Sequence, residues 1–143
     1  MRPTKRFEEY IKEGIVKKVK SNKERARSLL NESERKMSSL KRRLEKLGLN
    51  NEDANDYIGY CYDIMMQLLR AKLYLEGYSS GGQGAHEAEV SFLRVLGFNE
   101  KDVQFADQIR YFRNGILYYG TILDKEYAQK VIDFIENIYP KLK

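Results

Sequence analysis

Residues 50–77 read NNEDANDYIGYCYDIMMQLLRAKLYLEG, and this stretch sets the fold class of the chain. Asn50–Asp53 supplies helix-capping side chains and acidic groups that suit the positive end of a helix dipole. Apolar residues then recur at helical spacing up to Gly77, which predicts a helix running to about Glu76. The residues of this pattern are Tyr57, Cys61, Ile64, Met65, Leu68, Leu69 and Leu75, with Lys72 as a charged residue at one of its positions.

Helical patterns continue on the carboxyl-terminal side of this helix. Residues 78–84 are rich in glycine and serine and predict a flexible loop. A short helix is expected to begin near Ala85. Asn99 and Asp124 have the residue type and position of N-caps for two further long helices, and Gly120 separates the two.

Residues 6–47 contain one glycine and no proline, so long helical structure is expected there as well. The segment 1–47 is predicted to be a basic helix, or a helix pair that breaks near Ser21 and Asn22. Its second half carries a heptad-like seam made of Leu30, Ser33, Met37, Leu40, Leu44 and Leu47. No stretch alternates with period two. The chain is therefore predicted to be all-α: one domain over 1–143, an antiparallel bundle of four long helices and one short helix.

The positive charge is concentrated in the first third of the chain. The net charge is +5, yet residues 1–47 hold 16 of the 26 Lys and Arg and seven of the 21 Asp and Glu. Such a segment suits an acidic partner, either nucleic acid or an acidic protein face. Lys41, Arg42 and Arg43 are the candidate nucleic-acid contacts. A helix face that is merely solvated explains the same charge equally well.

The composition excludes several classes of protein. One histidine and one cysteine cannot build a Cys/His zinc site, and no metal and no cofactor are predicted. Cys61 has no partner for an internal disulfide, and no apolar run approaches the length of a membrane span. We therefore expect a cytoplasmic protein without membrane association.

The densest polar cluster is residues 110–119, RYFRNGILYY. On a helix, Arg110, Asn114 and Tyr118 share one face, and Arg113 lies beside it. The arginines and aromatic rings of this cluster, Tyr119 included, suit a phosphodiester, by charge and by stacking. An interhelical hydrogen-bond network would use the same residue types.

A second candidate is the glycine-rich loop before the short helix. Gly82 and its neighbours could let backbone amides approach a phosphate, with Ser80 adding a hydroxyl and His86 lying in the first helical turn. The loop lacks the lysine and hydroxyl of a Walker motif. A plain connector and a structural histidine are the simpler interpretation.

Arg113-Asn114 followed by Tyr118 resembles the signature of the HEPN superfamily (higher eukaryotes and prokaryotes nucleotide-binding), in which an arginine and a polar residue precede a histidine late in a helical bundle. The resemblance covers residues 52–142. It implies a homodimer whose two motifs form a composite cleft. Active members are metal-independent ribonucleases, and many act as toxins beside a nucleotidyltransferase partner protein.

Tyr118 occupies the position of the motif histidine, and a phenol is a poor base at neutral pH. Enzymatic activity is thus left open. The first hypothesis is a protein that binds RNA, a nucleotide or a nucleotidyltransferase, in a toxin–antitoxin-type or stress-response system. The alternatives are a divergent metal-independent endoribonuclease using Arg113, Asn114 and Tyr118, and an interaction module that docks through the basic segment.

Overall fold

Residues 54–76 form the central helix of the computed structural model, which describes residues 2–143. Met1, the first residue of the predicted domain, lies outside the described residues. Within 2–143 the chain forms six helices and two short strands: α1 (Phe7–Lys12), β1 (Val16–Lys18), α2 (Lys23–Leu47), α3 (Ala54–Glu76), β2 (Tyr78–Ser80), α4 (Ala85–Val95), α5 (Glu100–Tyr119) and α6 (Lys125–Leu142).

Helix α3 is buried along its length and packs against α2, α4, α5 and α6. The turn before it is closed by the Asp53 N–H, which donates to Asn50 Oδ1 at 2.9 Å. The helix ends at Gly77, whose φ of +84° belongs to the left-handed region that favours glycine. The start near residue 53 and the end at Glu76 agree with the sequence prediction, and α2, α4, α5 and α6 surround this helix.

The predicted helix caps are confirmed in the second half of the chain. The Asn99 side chain accepts from the Asp102 N–H at 2.8 Å, and the Asp124 side chain accepts from the Tyr127 N–H at 2.8 Å. Helix α4 begins at Ala85, as expected. The mostly helical bundle with four long helices is therefore confirmed, but it contains two shorter helices, α1 and α4, where one was predicted.

The amino-terminal segment agrees with the prediction only in part: it forms a helix pair whose second helix begins at Lys23 with Asn22 as its cap, but the first helix ends much earlier than predicted. Residues 13–22 are not helical: Gly14 turns the chain at φ +79°, and β1 pairs antiparallel with β2, Val16 lying opposite Ser80. The expectation of a flexible loop over 78–84 is wrong for residues 78–80 for the same reason. Hydrogen bonds between strands about 60 residues apart override the local preference of each strand, and no local pattern reports them.

The interior consists of two apolar clusters. The main one lies around α3 and takes in α2, α5 and α6. A smaller one joins the amino-terminal segment to α3 and α4, and it contains Phe7, Tyr10, Val16, Leu73, Ala88 and Phe92. The seam predicted on α2 is buried or half-buried from Leu30 to Leu44, but Leu47 is exposed. Within residues 2–143, no helix is both long and apolar enough to cross a bilayer.

Candidate functional site

Arg113 of the motif lies against the central helix. A Cβ atom built on Gly59 would be 3.2 Å from Arg113 Cζ, so the guanidinium packs directly on the α3 backbone. A side chain at position 59 would push the guanidinium away. Arg113 forms no ion pair with any other residue in 2–143. The guanidinium is thus held in place by packing and keeps its charge for another partner.

This arginine lines a cavity of about 340 Å³ between α2, α3 and α5, which we call the α5 cleft. Arg43 of the basic helix lines the same cleft, although it is 70 positions away in sequence. The cleft is lined by Arg43, Leu47, Asp53, Asn55, Asp56, Tyr57, Gly59, Tyr60, Arg113 and Ile116. The structure therefore brings together two arginines that the sequence predicted as separate contacts: Arg113 as part of the motif and Arg43 as part of the basic segment.

Arg43 belongs to a cluster of cations around Tyr60. The Arg43 guanidinium lies over the Tyr60 ring at 5.2 Å, and the Lys36 ammonium lies over it at 4.9 Å. Ser39 Oγ is 3.3 Å from the Tyr60 hydroxyl. This hydrogen bond, followed by the charges of Arg43 and Lys36, lowers the pKa of Tyr60, although burial opposes the shift. The cluster fixes Arg43 at the edge of the α5 cleft.

Two carboxylates and an amide complete the cleft. Asp53 and Asp56 form no ion pair within residues 2–143, but they line the same cavity and their two negative charges equal the two positive charges of Arg43 and Arg113. Asn55 is fixed at the far end: its Nδ2 donates to the Thr121 carbonyl at 2.8 Å, and its Oδ1 accepts from the Leu123 N–H at 3.0 Å. The cleft thus offers guanidinium donors and carboxylate acceptors in one space of ligand size.

The other predicted nucleic-acid contacts lie around this cleft in different ways. Arg42 lines an adjoining groove of about 270 Å³ together with Lys46, and Arg43 lines both cavities. Lys41 is exposed and lines neither of them. A basic strip consequently leads from the surface of α2 to the cleft.

The rest of the motif faces solvent at the end of α5. Tyr118 is 74% exposed and Tyr119 is 85% exposed, and neither lines the cleft. Asn114 is half-buried and its side chain makes no hydrogen bond within residues 2–143. The structure therefore places Arg113 in a cavity and leaves the tyrosines outside it.

Arg110 has a structural partner. Its Nε donates to Asp107 Oδ1 at 2.6 Å, one helical turn earlier. Burial would lower the pKa of Arg110, but the hydrogen bond and the charge of Asp107 raise it overall. Since the guanidinium is committed to this pair, Arg110 does not share the α5 cleft with Arg113.

The glycine-rich loop lies elsewhere in the fold. The Gly81 N–H donates to the Ile15 carbonyl at 3.1 Å, so the loop is tied to the amino-terminal segment, while Gly82 is exposed. His86 is exposed, with Nδ1 at 3.3 Å from the Tyr62 hydroxyl. Ser80 lines a separate cavity of about 230 Å³ that also contains Arg70. None of these predicted residues lies in the α5 cleft.

Sequence reasoning missed Gly59, Tyr60, Asp53 and Asp56 as members of the cleft. Asp53, Asp56 and Tyr60 follow one another at intervals of three and four residues, and Gly59 directly precedes Tyr60, so the sequence shows that they lie close together along the start of α3. Their position opposite Arg43 and Arg113 depends on how three helices pack, and the sequence carries no local sign of it.

No family model, no curated protein and no solved structure matches this chain. The resemblance to the HEPN superfamily therefore stays a hypothesis, and the function must be inferred from the geometry of the cleft.

Proposed function

We propose that this chain is an RNA-binding protein of HEPN type that holds RNA phosphates with Arg43 and Arg113 in the α5 cleft. The observation that carries the proposal is the convergence of these two guanidiniums on one cavity without an ion pair within residues 2–143. Guanidinium groups bind phosphate through paired, charge-assisted hydrogen bonds.

The remaining residues of the cleft favour ribose over a bare phosphate. Carboxylates accept hydrogen bonds, and the 2′-hydroxyl of RNA is a donor that DNA lacks. Asp53 and Asp56 line the cleft beside the two arginines. The exposed basic residues of α2, among them Arg42 and Lys46, would extend the contact along the backbone of a single strand.

RNA cleavage is the second candidate function, and it depends on Tyr118, the exposed tyrosine at the position of the motif histidine. Tyr118 makes no hydrogen bond or ion pair within residues 2–143 that would activate its hydroxyl. We therefore propose binding with little or no RNA cleavage. A nucleotidyltransferase partner and a toxin–antitoxin-type setting stay predictions from the resemblance alone.

A homodimer is part of the proposal. The end of α5 and the residues after it expose an apolar surface, the terminal patch, made of Leu117, Tyr118, Tyr119 and Ile122. Exposed apolar surfaces of this kind mark protein contacts. A second copy of the chain is the partner that the HEPN resemblance implies.

The binding proposal is tested with a fluorescently labelled single-stranded RNA and charge-altering variants. We expect Arg43→Glu and Arg113→Gln each to weaken binding at least about tenfold, because each removes a charge-assisted contact to phosphate. Binding by the unaltered chain should weaken steeply with salt, since neutralised phosphates release counterions.

Lys41→Glu is the matched control. It reverses one charge two residues from Arg43, at an exposed position outside the cleft, and should cost much less affinity. An equal loss in Lys41→Glu and Arg43→Glu would show that overall surface charge, rather than the cleft, holds RNA. Salt-independent binding, or no binding, would also contradict the proposal.

A further inference from the structure

We propose that the separate cavity lined by Ser80 and Arg70 binds a tetrahedral oxyanion such as a phosphate group. This cavity of about 230 Å³ lies between β2, α3, α4 and the start of α2, and we call it the β2 cavity. Gly82 and His86, which the sequence grouped with Ser80 as phosphate contacts, do not line it. It shares no lining residue with the α5 cleft, so anion binding here is independent of RNA binding there.

Arg70 of α3 is the fixed cation of the β2 cavity. Its Nε donates to Glu89 Oε2 at 2.7 Å and its Nη2 donates to Glu89 Oε1 at 3.4 Å, and the Glu89 side chain is only 3% exposed. This pairing leaves both N–H groups of Nη1 for another acceptor. The Arg70 side chain is itself 34% exposed and lines the cavity. Glu89 thus orients the Arg70 guanidinium without using all of its donors.

Arg25 of α2 brings a second guanidinium to the β2 cavity. Its Cζ lies over the Tyr74 ring, 4.8 Å from the centroid, and both residues line the cavity. A guanidinium on an aromatic face keeps its N–H groups for hydrogen bonds at its edge. Arg25 forms no ion pair within residues 2–143. Since Glu89 balances Arg70, the charged lining residues leave the single positive charge of Arg25, which favours an anion.

The number and placement of donors favour a tetrahedral oxyanion over a carboxylate. Each guanidinium can donate a pair of parallel hydrogen bonds to two oxygens of one anion. A carboxylate has oxygens for one such pair, whereas phosphate has oxygens for both pairs. Ser79 and Ser80 of β2 line the same cavity and add hydroxyl groups that can donate. The volume of about 230 Å³ is below the range of about 300–1,000 Å³ typical of drug-sized ligands, so a small anion fits.

The test is a titration of the isotope-labelled protein, followed through the backbone amide NMR signals of residues 25 and 78–80 at constant ionic strength. The ligands are inorganic phosphate, glycerol 3-phosphate and sulfate, with acetate and chloride for comparison. We expect the tetrahedral anions to shift these signals saturably and acetate to bind at least about fivefold more weakly. The anion that binds most tightly then identifies the source as free phosphate, a phosphate ester or sulfate. Equal binding of acetate, or no saturable shift with any tetrahedral anion at millimolar concentration, would overturn the proposal.

Arg25→Gln is the decisive variant, because Arg25 is exposed and its loss breaks no ion pair within residues 2–143. It should weaken phosphate binding at least about fivefold. Arg27→Gln is the matched control, since it removes the same charge from an exposed position of α2 outside the cavity. Equal losses in the two variants would show that the general charge of α2 attracts the anion, and would contradict the site.

Arg70→Lys examines the fixed cation without leaving Glu89 unpaired. It keeps a positive charge beside Glu89 but removes the paired N–H donors, so it should also weaken phosphate binding. Unchanged affinity in both Arg25→Gln and Arg70→Lys would contradict the proposed site.

Arg43→Glu distinguishes this proposal from the RNA-binding one. Arg43 does not line the β2 cavity, so the variant should keep its affinity for phosphate while losing RNA. Loss of the phosphate-induced shifts in Arg43→Glu, with full binding in Arg25→Gln, would place the anion in the α5 cleft and overturn the proposal.

Discussion

Arg110 and Arg113 are less than one helical turn apart on α5, yet their guanidiniums have opposite electrostatic roles. Arg110 is paired with Asp107, which is almost fully buried, so removing either partner would leave a buried charge uncompensated. Arg113 packs on Gly59, lines the α5 cleft and forms no ion pair within residues 2–143. At the scale of single residues, Arg110 therefore contributes to stability and Arg113 is available for binding.

Tyr118 is the residue at which catalysis can be tested. We expect Tyr118→His to gain metal-independent RNA cleavage, because an imidazole accepts and releases a proton near neutral pH and a phenol does not. The site is 74% exposed and both residues have similar helix propensity, so the fold should be unaffected. Cleavage of a labelled RNA in the presence of a chelator measures the gain.

The controls for this substitution are Tyr118→Phe and the double variant Tyr118→His with Arg113→Gln. The double variant should lose the gained cleavage, since the arginine steadies the phosphate in the HEPN motif. If the unaltered chain already cleaves RNA and Tyr118→Phe abolishes the activity, Tyr118 is catalytic, and the proposal of RNA binding with little or no cleavage is wrong.

At the scale of elements, the junction between α3 and β2 holds the amino-terminal segment on the bundle. The Val19 N–H donates to the Gly77 carbonyl at 2.8 Å, and the Asn22 N–H donates to the Tyr74 carbonyl at 3.0 Å. These bonds continue the β1–β2 pairing into the start of α2. The end of α3 thus organises β1, β2 and α2 together.

Gly77→Ala should destabilise the protein strongly. Position 77 has φ of +84°, which costs a residue with a Cβ about 1–2 kcal/mol. The added Cβ would also lie 2.8 Å from the Val19 carbonyl oxygen, closer than van der Waals contact allows. We expect the free energy of unfolding to fall by at least about 2 kcal/mol, measured by urea denaturation.

Gly97→Ala provides the matched comparison. Gly97 also has positive φ, +93°, but a Cβ added there would meet no atom within 4 Å beyond its chain neighbours. The free energy of unfolding of this variant should therefore fall only by the cost of placing a Cβ at positive φ, about 1–2 kcal/mol. Equal losses at the two positions would show that the contact with Val19 does not constrain the junction.

The elements differ in how far the sequence could predict them. Helices α5 and α6 begin at side-chain caps, α3 ends at a left-handed glycine, and all three have apolar periodicity, so their bounds follow from local chemistry. The strands do not: Val16–Lys18 becomes a strand only because Tyr78–Ser80 lies beside it. The α5 cleft could not be predicted from the sequence for the same reason. Arg43 and Arg113 were each recognisable as candidate contacts by residue type, but their convergence across α3 depends on how the helices pack.

On the scale of the whole molecule, the basic and the apolar surfaces lie at opposite ends of the α5 cleft. Arg42, Arg43 and Lys46 of α2 line the cleft or its adjoining groove. The terminal patch follows the other end, where Asn55 bonds Thr121 and Leu123 on either side of Ile122.

The HEPN resemblance implies a homodimer, and only part of the apolar surface of α5 is available for one. Phe105 packs on Phe134 and Phe112 packs on Tyr127 within the chain. The large apolar residues of α5 that stay exposed are Tyr111 and those of the last turn, and Ile122 follows the helix.

The terminal patch should mediate homodimerisation. Ile122 is 85% exposed, and a contact that buries it would be disrupted by a charge, because an unpaired carboxylate is costly to desolvate. We expect the unaltered chain to sediment as a dimer at tens of micromolar and Ile122→Asp to sediment as a monomer. Val95→Asp, which places the same charge on an exposed apolar residue of α4, should remain dimeric. A monomeric unaltered chain, or equal dissociation in both variants, would contradict a dimer formed through this patch.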